Sequence, residues 1–476
     1  MLPKSLLKEL RELLGNERVS VGPETLERFA WDALRPGRAM PRSIVLNSRP
    51  DVVATPLSTK DVAAVLALAH RERIPVVPYG GGTGVMGAAL SLKGGILLNL
   101  QAMNKIVRIE VEDETAVVQP GVLLEVLNAA LEEQGLMLGH DPWSLPIATV
   151  GGAISTNGVG YLAGKYGPMG DQVLGLEIVL PDGSVVCTRT VPKVAGVNLV
   201  PLFVGAEGTL GVITQVTLRA FPLPEERRLW AIRFAGFPAG FRALQEMRKA
   251  GLRPSLVDYA EEDFPPPSEA KERWQEIEMP STLYLGMEGC SEEVEASAAR
   301  TLRICRRHGG EVLEDSEATS FWEHRHDSAL RWQDRARRGA AGWSSAPSPW
   351  SRMEYLHVAL PVSRVLEYRR QCLRLFAEAD TFVRECSLWG RPELFSILVS
   401  LPEGADQGEM DTMVDAVETA LALAQDVGGS MEYCHGVGVR LAHLMQRELG
   451  SEAILWRRIK QALDPHGIMN PGKLPI

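Results

Sequence analysis

An α+β fold in two domains is what this sequence predicts, and three observations carry the prediction. The chain has 476 residues, more than one hydrophobic core usually organises. Its first half mixes strand-like and helix-like segments around three glycine-rich stretches: Pro78–Gly87 (PYGGGTGVMG), Thr149–Gly160 (TVGGAISTNGVG) and Gly205–Thr214 (GAEGTLGVIT). Its second half runs strand, helix, strand, helix, strand, helix, the order of helices packed on an antiparallel sheet.

The elements follow in order. Residues 2–15 repeat leucine at helical spacing with Lys and Glu between, an amphipathic helix too charged for a signal or membrane-spanning segment. Residues 58–73 read as a helix capped by Ser58 or Thr59, with Asp61 favouring its dipole. Residues 103–121 alternate around the acidic turn Glu112–Glu114 as a hairpin, and residues 123–136 form a helix stopped by Gly135. A second hairpin, residues 174–186, turns at Pro181–Gly183, and the strand 211–221 ends at Pro222 and Pro224. The later half places strands and helices over residues 231–251, 282–290, 296–308 and 355–379. Residues 331–352, rich in Trp and Arg with the turn-forming SSAPSP, read as a long loop near the domain interface. From Gly428 the chain is glycine-rich again and is expected to return to the first domain. The boundaries read 1–222, 223–428 and 429–476.

Glycine is needed where backbone takes φ > 0 or approaches a ligand closely, so three such loops imply a long ligand held by main-chain N–H groups, naturally a phosphate-bearing cofactor. Gly82, Gly84 and Gly87 also satisfy G-x-G-x-x-G. A Rossmann fingerprint must open a helix of several turns, whereas here Gly94 and Gly95 arrive almost at once and a second apolar strand follows.

Composition narrows the function classes. Fifty basic against 60 acidic residues leave a formal charge of −10, which argues against a nucleic-acid partner. The six cysteines are scattered without C-x-x-C spacing, so they offer no iron–sulfur ligand set, and a reducing cytoplasm is the simplest setting.

Taken in series, PYGGGTG, VQPGV, GHDPWSLPIATVGGAISTNGVG, GKYGPMGDQVLGLEIVLPDG, LFVGAEGTLGVIT, HGVG and LDPHGIMNPGKL resemble the flavin-linked oxidases of the vanillyl-alcohol oxidase type (PCMH-type), in the branch of the glycolate oxidase large subunit, D-lactate dehydrogenases and alkylglycerone-phosphate synthase. The resemblance implies FAD lying between two α+β subdomains, with a cap domain of antiparallel sheet and flanking helices above its ring. It places Pro78, Gly80, Gly81, Gly82, Thr83 and Gly84 around the pyrophosphate, Ser144, Thr149, Gly152, Ser155, Asn157 and Gly158 along the cofactor, and Glu207, Gly208, Gly211, Val212 and Ile213 at its adenine and ribose end. Some relatives attach FAD through a His or Cys in or just after the first loop. Val85, Met86 and Gly87 offer no nucleophile, so noncovalent FAD is expected.

Oxidation of an alcohol on flavin needs a group that takes or polarises the hydroxyl proton. The resemblance makes His435, in HGVG, that group. Relatives that oxidise 2-hydroxy acids carry Glu before this His and an upstream H-x-GDGN-x-H segment, which together hold a divalent metal. Here Cys434 precedes it and residues 386–400 hold no histidine, so no metal is expected. The synthase carries three histidines where this chain has Tyr433, Cys434 and His435. Arg325, Arg352 and Arg391 are the candidate anchors for an anionic small-molecule substrate. Three functions stay open: a 2-hydroxy-acid dehydrogenase or oxidase, a flavin-dependent transferase like the synthase, and the flavin subunit of a glycolate-oxidase-like complex that needs an electron acceptor or iron–sulfur partner. A homodimer is allowed for.

Overall fold

The computed structural model describes all residues except 1, 35–37, 45, 47, 192, 274–276, 338–351, 403 and 476. Helix α1 (Lys4–Leu14) buries Leu10 and Leu14, as its leucine spacing predicts. It leads to strands β1 (Val19–Ser20) and β2 (Val52–Ala54), and then to α2 (Thr59–Glu72). Ser58 caps α2, its hydroxyl accepting from the Asp61 N–H at 3.2 Å, and Arg73 ends it in the left-handed region at φ 55°. Strands β3 (Val76–Tyr79) and β4 (Ile96–Asn99) complete a four-stranded sheet in the order β1-β2-β4-β3. Both β2 and β3 run parallel to β4.

The expected hairpins appear as β5 (Ile106–Glu110) with β6 (Thr115–Val118), and as β7 (Val173–Val179) with β8 (Val185–Cys187). Between them lie α3 (Leu124–Glu132) and α4 (Val150–Thr156). With β9 (Val212–Arg219) these strands make a five-stranded antiparallel sheet in the order β5-β6-β9-β7-β8. Leu124, Leu127 and Leu131 of α3 and Val150 and Ile154 of α4 bury against Val118, Val216 and Leu218 of that sheet. The two sheets and their helices are the two α+β layers of the first half.

The second half holds β10 (Glu226–Phe234), α5 (Phe237–Lys249), β11 (Leu256–Glu262), β12 (Ser281–Gly289), α6 (Ser291–Arg307), β13 (Glu311–Val312), α7 (Asp315–His324), α8 (Asp327–Arg337), β14 (Met353–Ala359), α9 (Val365–Glu378), β15 (Phe382–Trp389), β16 (Leu394–Ser400) and α10 (Gln407–Asp426). Its seven strands form one antiparallel sheet in the order β13-β10-β12-β11-β15-β16-β14. Residues 327–337 are helical, with Asp327 in the first turn, so the expected loop over 331–352 is corrected over residues 331–337. Residues 338–351 lie outside the described residues.

Strand alternation gives this sheet two different faces. Tyr259, Leu285, Val358, Leu388, Phe395 and Ile397 bury beneath α5, α6, α9 and α10. Tyr355, His357, Ser387, Trp389 and Ser396 stand on the opposite face, where His357 pairs across to Ser396 and Ser387 also lies opposite Ser396. That face meets the first half, since Trp389 stacks on Tyr161 at 5.6 Å between ring centroids. The final helix α11 (Ala453–Leu463) precedes a tail that hydrogen-bonds to β3. The Val76 N–H donates to Ile468 O and the Asn470 N–H to Val76 O, both at 2.8 Å.

Candidate active site

The first glycine segment leaves β3 at Tyr79, whose hydroxyl donates to Trp31 O at 3.2 Å. It cannot carry side chains at its centre. A Cβ on Gly80 would stand 2.5 Å from Thr149 Oγ1, and one on Gly81 would stand 2.6 Å from Ile147 O, so the first loop lies directly on the second. The third loop joins them at Gly208, which takes φ +71° and would put a Cβ 2.8 Å from Pro78. Gly84 has open space where its Cβ would be. Three segments distant in sequence thus form one wall of exposed backbone.

That wall borders a cleft. Every residue expected along the cofactor borders it except Asn157, and His435 lies at its edge with Cys434 and Val159. Asn157 instead ends α4 in the left-handed region at φ 50°, and its Oδ1 accepts from the Gly170 N–H at 2.9 Å. Glu207 borders the cleft but spends its carboxylate elsewhere: Oε1 accepts from the Val437 N–H at 2.5 Å and the Gly438 N–H at 3.0 Å. It therefore ties the third loop to the segment that carries His435. Asn470 adds a second tie, its Nδ2 donating to Ala88 O at 2.9 Å and Glu207 O at 2.7 Å.

Burial sets the charges here. It pushes the Asp32 carboxyl up to about 6 and the Glu207 carboxyl up to about 7, and pulls the Lys473 ammonium down to about 8. His140, 2 % exposed and with its Nδ1 unpaired, is held down to about 4 by burial. His435 behaves oppositely. Burial disfavours its imidazolium, but the Cys434 sulfur and the Glu432 carboxylate outweigh that and hold its pKa at about 10. Glu432 Oε1 lies 3.6 Å from His435 Nδ1 and accepts from the backbone N–H groups of Tyr433, Cys434 and His435.

The arginines do not come to the cleft. Arg325 Nε donates to Asp141 Oδ2 at 2.8 Å and its guanidinium stacks on Trp322 at 3.7 Å, while His326 Nε2 meets the other Asp141 oxygen at 2.7 Å. Arg325 thus joins α7 to the segment before the second glycine loop. Arg352 immediately precedes β14, where its carbonyl accepts from Leu401 N, and Arg391 is exposed beyond β15. Neither borders the cleft. Sequence reasoning missed Asp32, which borders the cleft and accepts from the Leu34 and Ala89 N–H groups. Nothing in WDALRP signals that role. It also missed Trp143 and Thr156 on the cleft wall, although both fall inside or beside the second glycine segment. Among the described residues no group of three or more His, Cys, Asp or Glu side chains could hold a metal ion, and no helix is long and apolar enough to cross a membrane.

Comparison with known proteins agrees with this geometry. Residues 50–189 match the model of an FAD binding domain, and residues 223–474 match the model described as FAD linked oxidases, C-terminal domain. A D-lactate dehydrogenase of Anaerostipes hadrus is 30% identical over 98% of this chain and 97% of its own. The glycolate oxidase subunit GlcD of Bacillus subtilis is 27% identical over 100% of this chain and 97% of its own. Among solved structures, p-cresol methylhydroxylase with substrate bound superposes with a TM-score of 0.76 at 19% identity, covering 99% of this chain and 96% of that one. The α+β architecture with its antiparallel second sheet is therefore that fold.

Proposed function

The chain belongs to the FAD-linked oxidases, and from that membership we propose that it oxidises the CH–OH group of a small, anionic hydroxylated molecule by hydride transfer to noncovalently held FAD. The observation that carries the reading is the meeting of three glycine loops and His435 on one cleft. The cradle fits the group: at Gly80 and Gly81 the backbone leaves no room for a side chain, and at Gly84 it stands open to the cleft. The first loop holds no Cys or His, which favours noncovalent attachment. Bound FAD supplies the two-electron sink that amino-acid side chains lack.

The chain's own part is to orient the donor and to manage one proton. Among the described residues that line the cleft there is no Lys or Arg, so His435 is its cationic group. At neutral pH the imidazolium meets a carboxylate or steadies negative charge developing on the hydroxyl oxygen as the carbon-bound hydrogen leaves. It acts as a base only when pH approaches about 10. The names of the two relatives favour a 2-hydroxy acid as donor. The Bacillus relative is named as a subunit, which favours a second reading, a flavin subunit that hands its electrons to a partner protein. The third reading, a transferase, predicts no net flavin reduction.

The test is the visible spectrum of the FAD-loaded protein under anaerobic conditions as D-lactate, glycolate and D-2-hydroxyglutarate are added in turn. Bleaching of the flavin band by one of them is expected. A flavin spectrum that none of them changes would turn the reading towards the transferase, and a protein that takes up no flavin would remove it.

A further inference from the structure

Beside His435 lies a second histidine that sequence reasoning did not single out. His357 stands on the face of β14 that meets His435, 5 % exposed, with its ring centroid 4.5 Å from that of His435 and the two planes at 67°. The contact is edge to face, a geometry in which a charged imidazole edge is favoured over a neutral ring. His357 is held from behind. Its Nδ1 meets Ser396 Oγ at 2.7 Å and Tyr433 OH at 3.4 Å, and those two hydroxyl groups bond each other at 2.8 Å. The triangle closes on itself, so it fixes the ring and offers no exit for a proton. Tyr355 stacks on the same ring at 4.4 Å, and Trp389 meets it edge to face at 6.1 Å.

We propose that His357 is a positioning residue for His435: clamped by Ser396 and Tyr433, it presents a neutral ring face that fixes the His435 imidazole and favours its charged form. The inference rests on the reading of His435 as the cleft's charged group and names what holds that charge in place. The surroundings divide the labour between the two rings. Glu432 and Cys434 stand on the His435 side, whereas His357 is exposed to the charges of His435 and Arg38. Burial, then His435, then Arg38 hold the His357 pKa well below the ordinary histidine range. One proton therefore serves the pair, and it resides on His435.

Histidine-selective ¹³C NMR of the full-length, FAD-loaded protein tests this without a substrate. There are nine histidines, and the resonance lost in H435Q identifies His435. In H357L, which removes the ring, the His435 midpoint should fall by about one unit, a tenfold loss of proton affinity. In H357F, which restores a ring face without nitrogens, it should return to within about 0.3 unit of the native value. Should H357L fail to retain FAD, H357M carries the same expectation. A midpoint unchanged in the ringless variant, or one displaced as far in H357F as in H357L, overturns the proposal. Failure of the underlying reading shows separately, as donor-driven flavin bleaching at an undiminished rate in H435Q.

Discussion

The glycine-loop wall of the cleft and the sheet that stands behind His435 are built on different principles. The glycine-loop wall presents backbone, is assembled from three short segments, and owes its shape to side chains that are missing at Gly80, Gly81 and Gly208. The sheet, a second wall behind the His435 edge of the cleft, presents side chains held by partners far away in sequence: His357 by Ser396 and Tyr433 on one face, and Glu354 by Arg38 on the other. The first wall is suited to gripping any long phosphate-bearing ligand by its length. The second can differ between relatives without disturbing that grip, which is how one fold hosts several chemistries.

Damage to the two walls should therefore differ in kind. The largest effect is expected at Glu354, 3 % exposed, which accepts from Arg38 Nε and Ala39 N at 2.9 Å and lies 3.9 Å from the buried Arg440 Nε. Glu354→Ala leaves the Arg38 guanidinium without its carboxylate, while Arg440 keeps Glu418 at 2.9 Å, and should cost about 3–5 kcal/mol of stability in denaturant melts. If the walls are independent, the fraction that stays folded keeps its FAD affinity. Gly84→Ala should do the reverse: its Cβ meets open space in the fold yet stands at the cleft, so it should weaken FAD about a hundredfold in equilibrium dialysis, or about 2.7 kcal/mol, with little change in the melt without FAD. Equal loss of stability in both variants would break the distinction.

The smallest effect separates the walls by pH. His140, on the glycine side, is accepted by the fold only when neutral, while the unfolded chain takes its proton near pH 6.5. Its contribution is complete above that value and should fall by about 2 kcal/mol between pH 7 and pH 5, a loss absent from H140Q. His435, near the sheet wall, has the opposite sign. Its folded pKa is raised, so its contribution is complete below about 6.5 and is lost as pH rises towards about 10. Melts of H140Q and H435Q across that range would show the first lacking the acid limb and the second lacking the alkaline limb.

What could be read in the sequence follows the same division. The glycine wall was legible because its requirement is local: positive φ and close approach leave glycine as the record, as at Gly82, Gly87 and Gly208. The same reading erred at Asn157, where a polar residue beside glycines caps a helix rather than facing the cleft. The sheet wall was far less legible. MEYLHVA alternates like any half-buried strand, and nothing in it shows that His357 will face His435. Arg325 was read as a substrate anchor because a guanidinium suits a carboxylate, and the carboxylate it found was Asp141, 184 positions earlier. Such pairings are fixed by topology, and a local motif carries no trace of them.

The ties made by the tail bear on the order in which this protein is completed. Asn470 laces the Ala88 and Glu207 carbonyl groups together, and the Val437 and Gly438 amides satisfy the Glu207 carboxylate. During synthesis all three glycine segments leave the ribosome long before these braces exist, with the whole seven-stranded sheet made in between. The first half can collapse early around its own apolar clusters, yet its ligand-binding loops must wait for residues 437–470 to seat them. Competence to take up cofactor thus depends on residues 437–470, and a chain halted before them would be a folded but unfinished vessel.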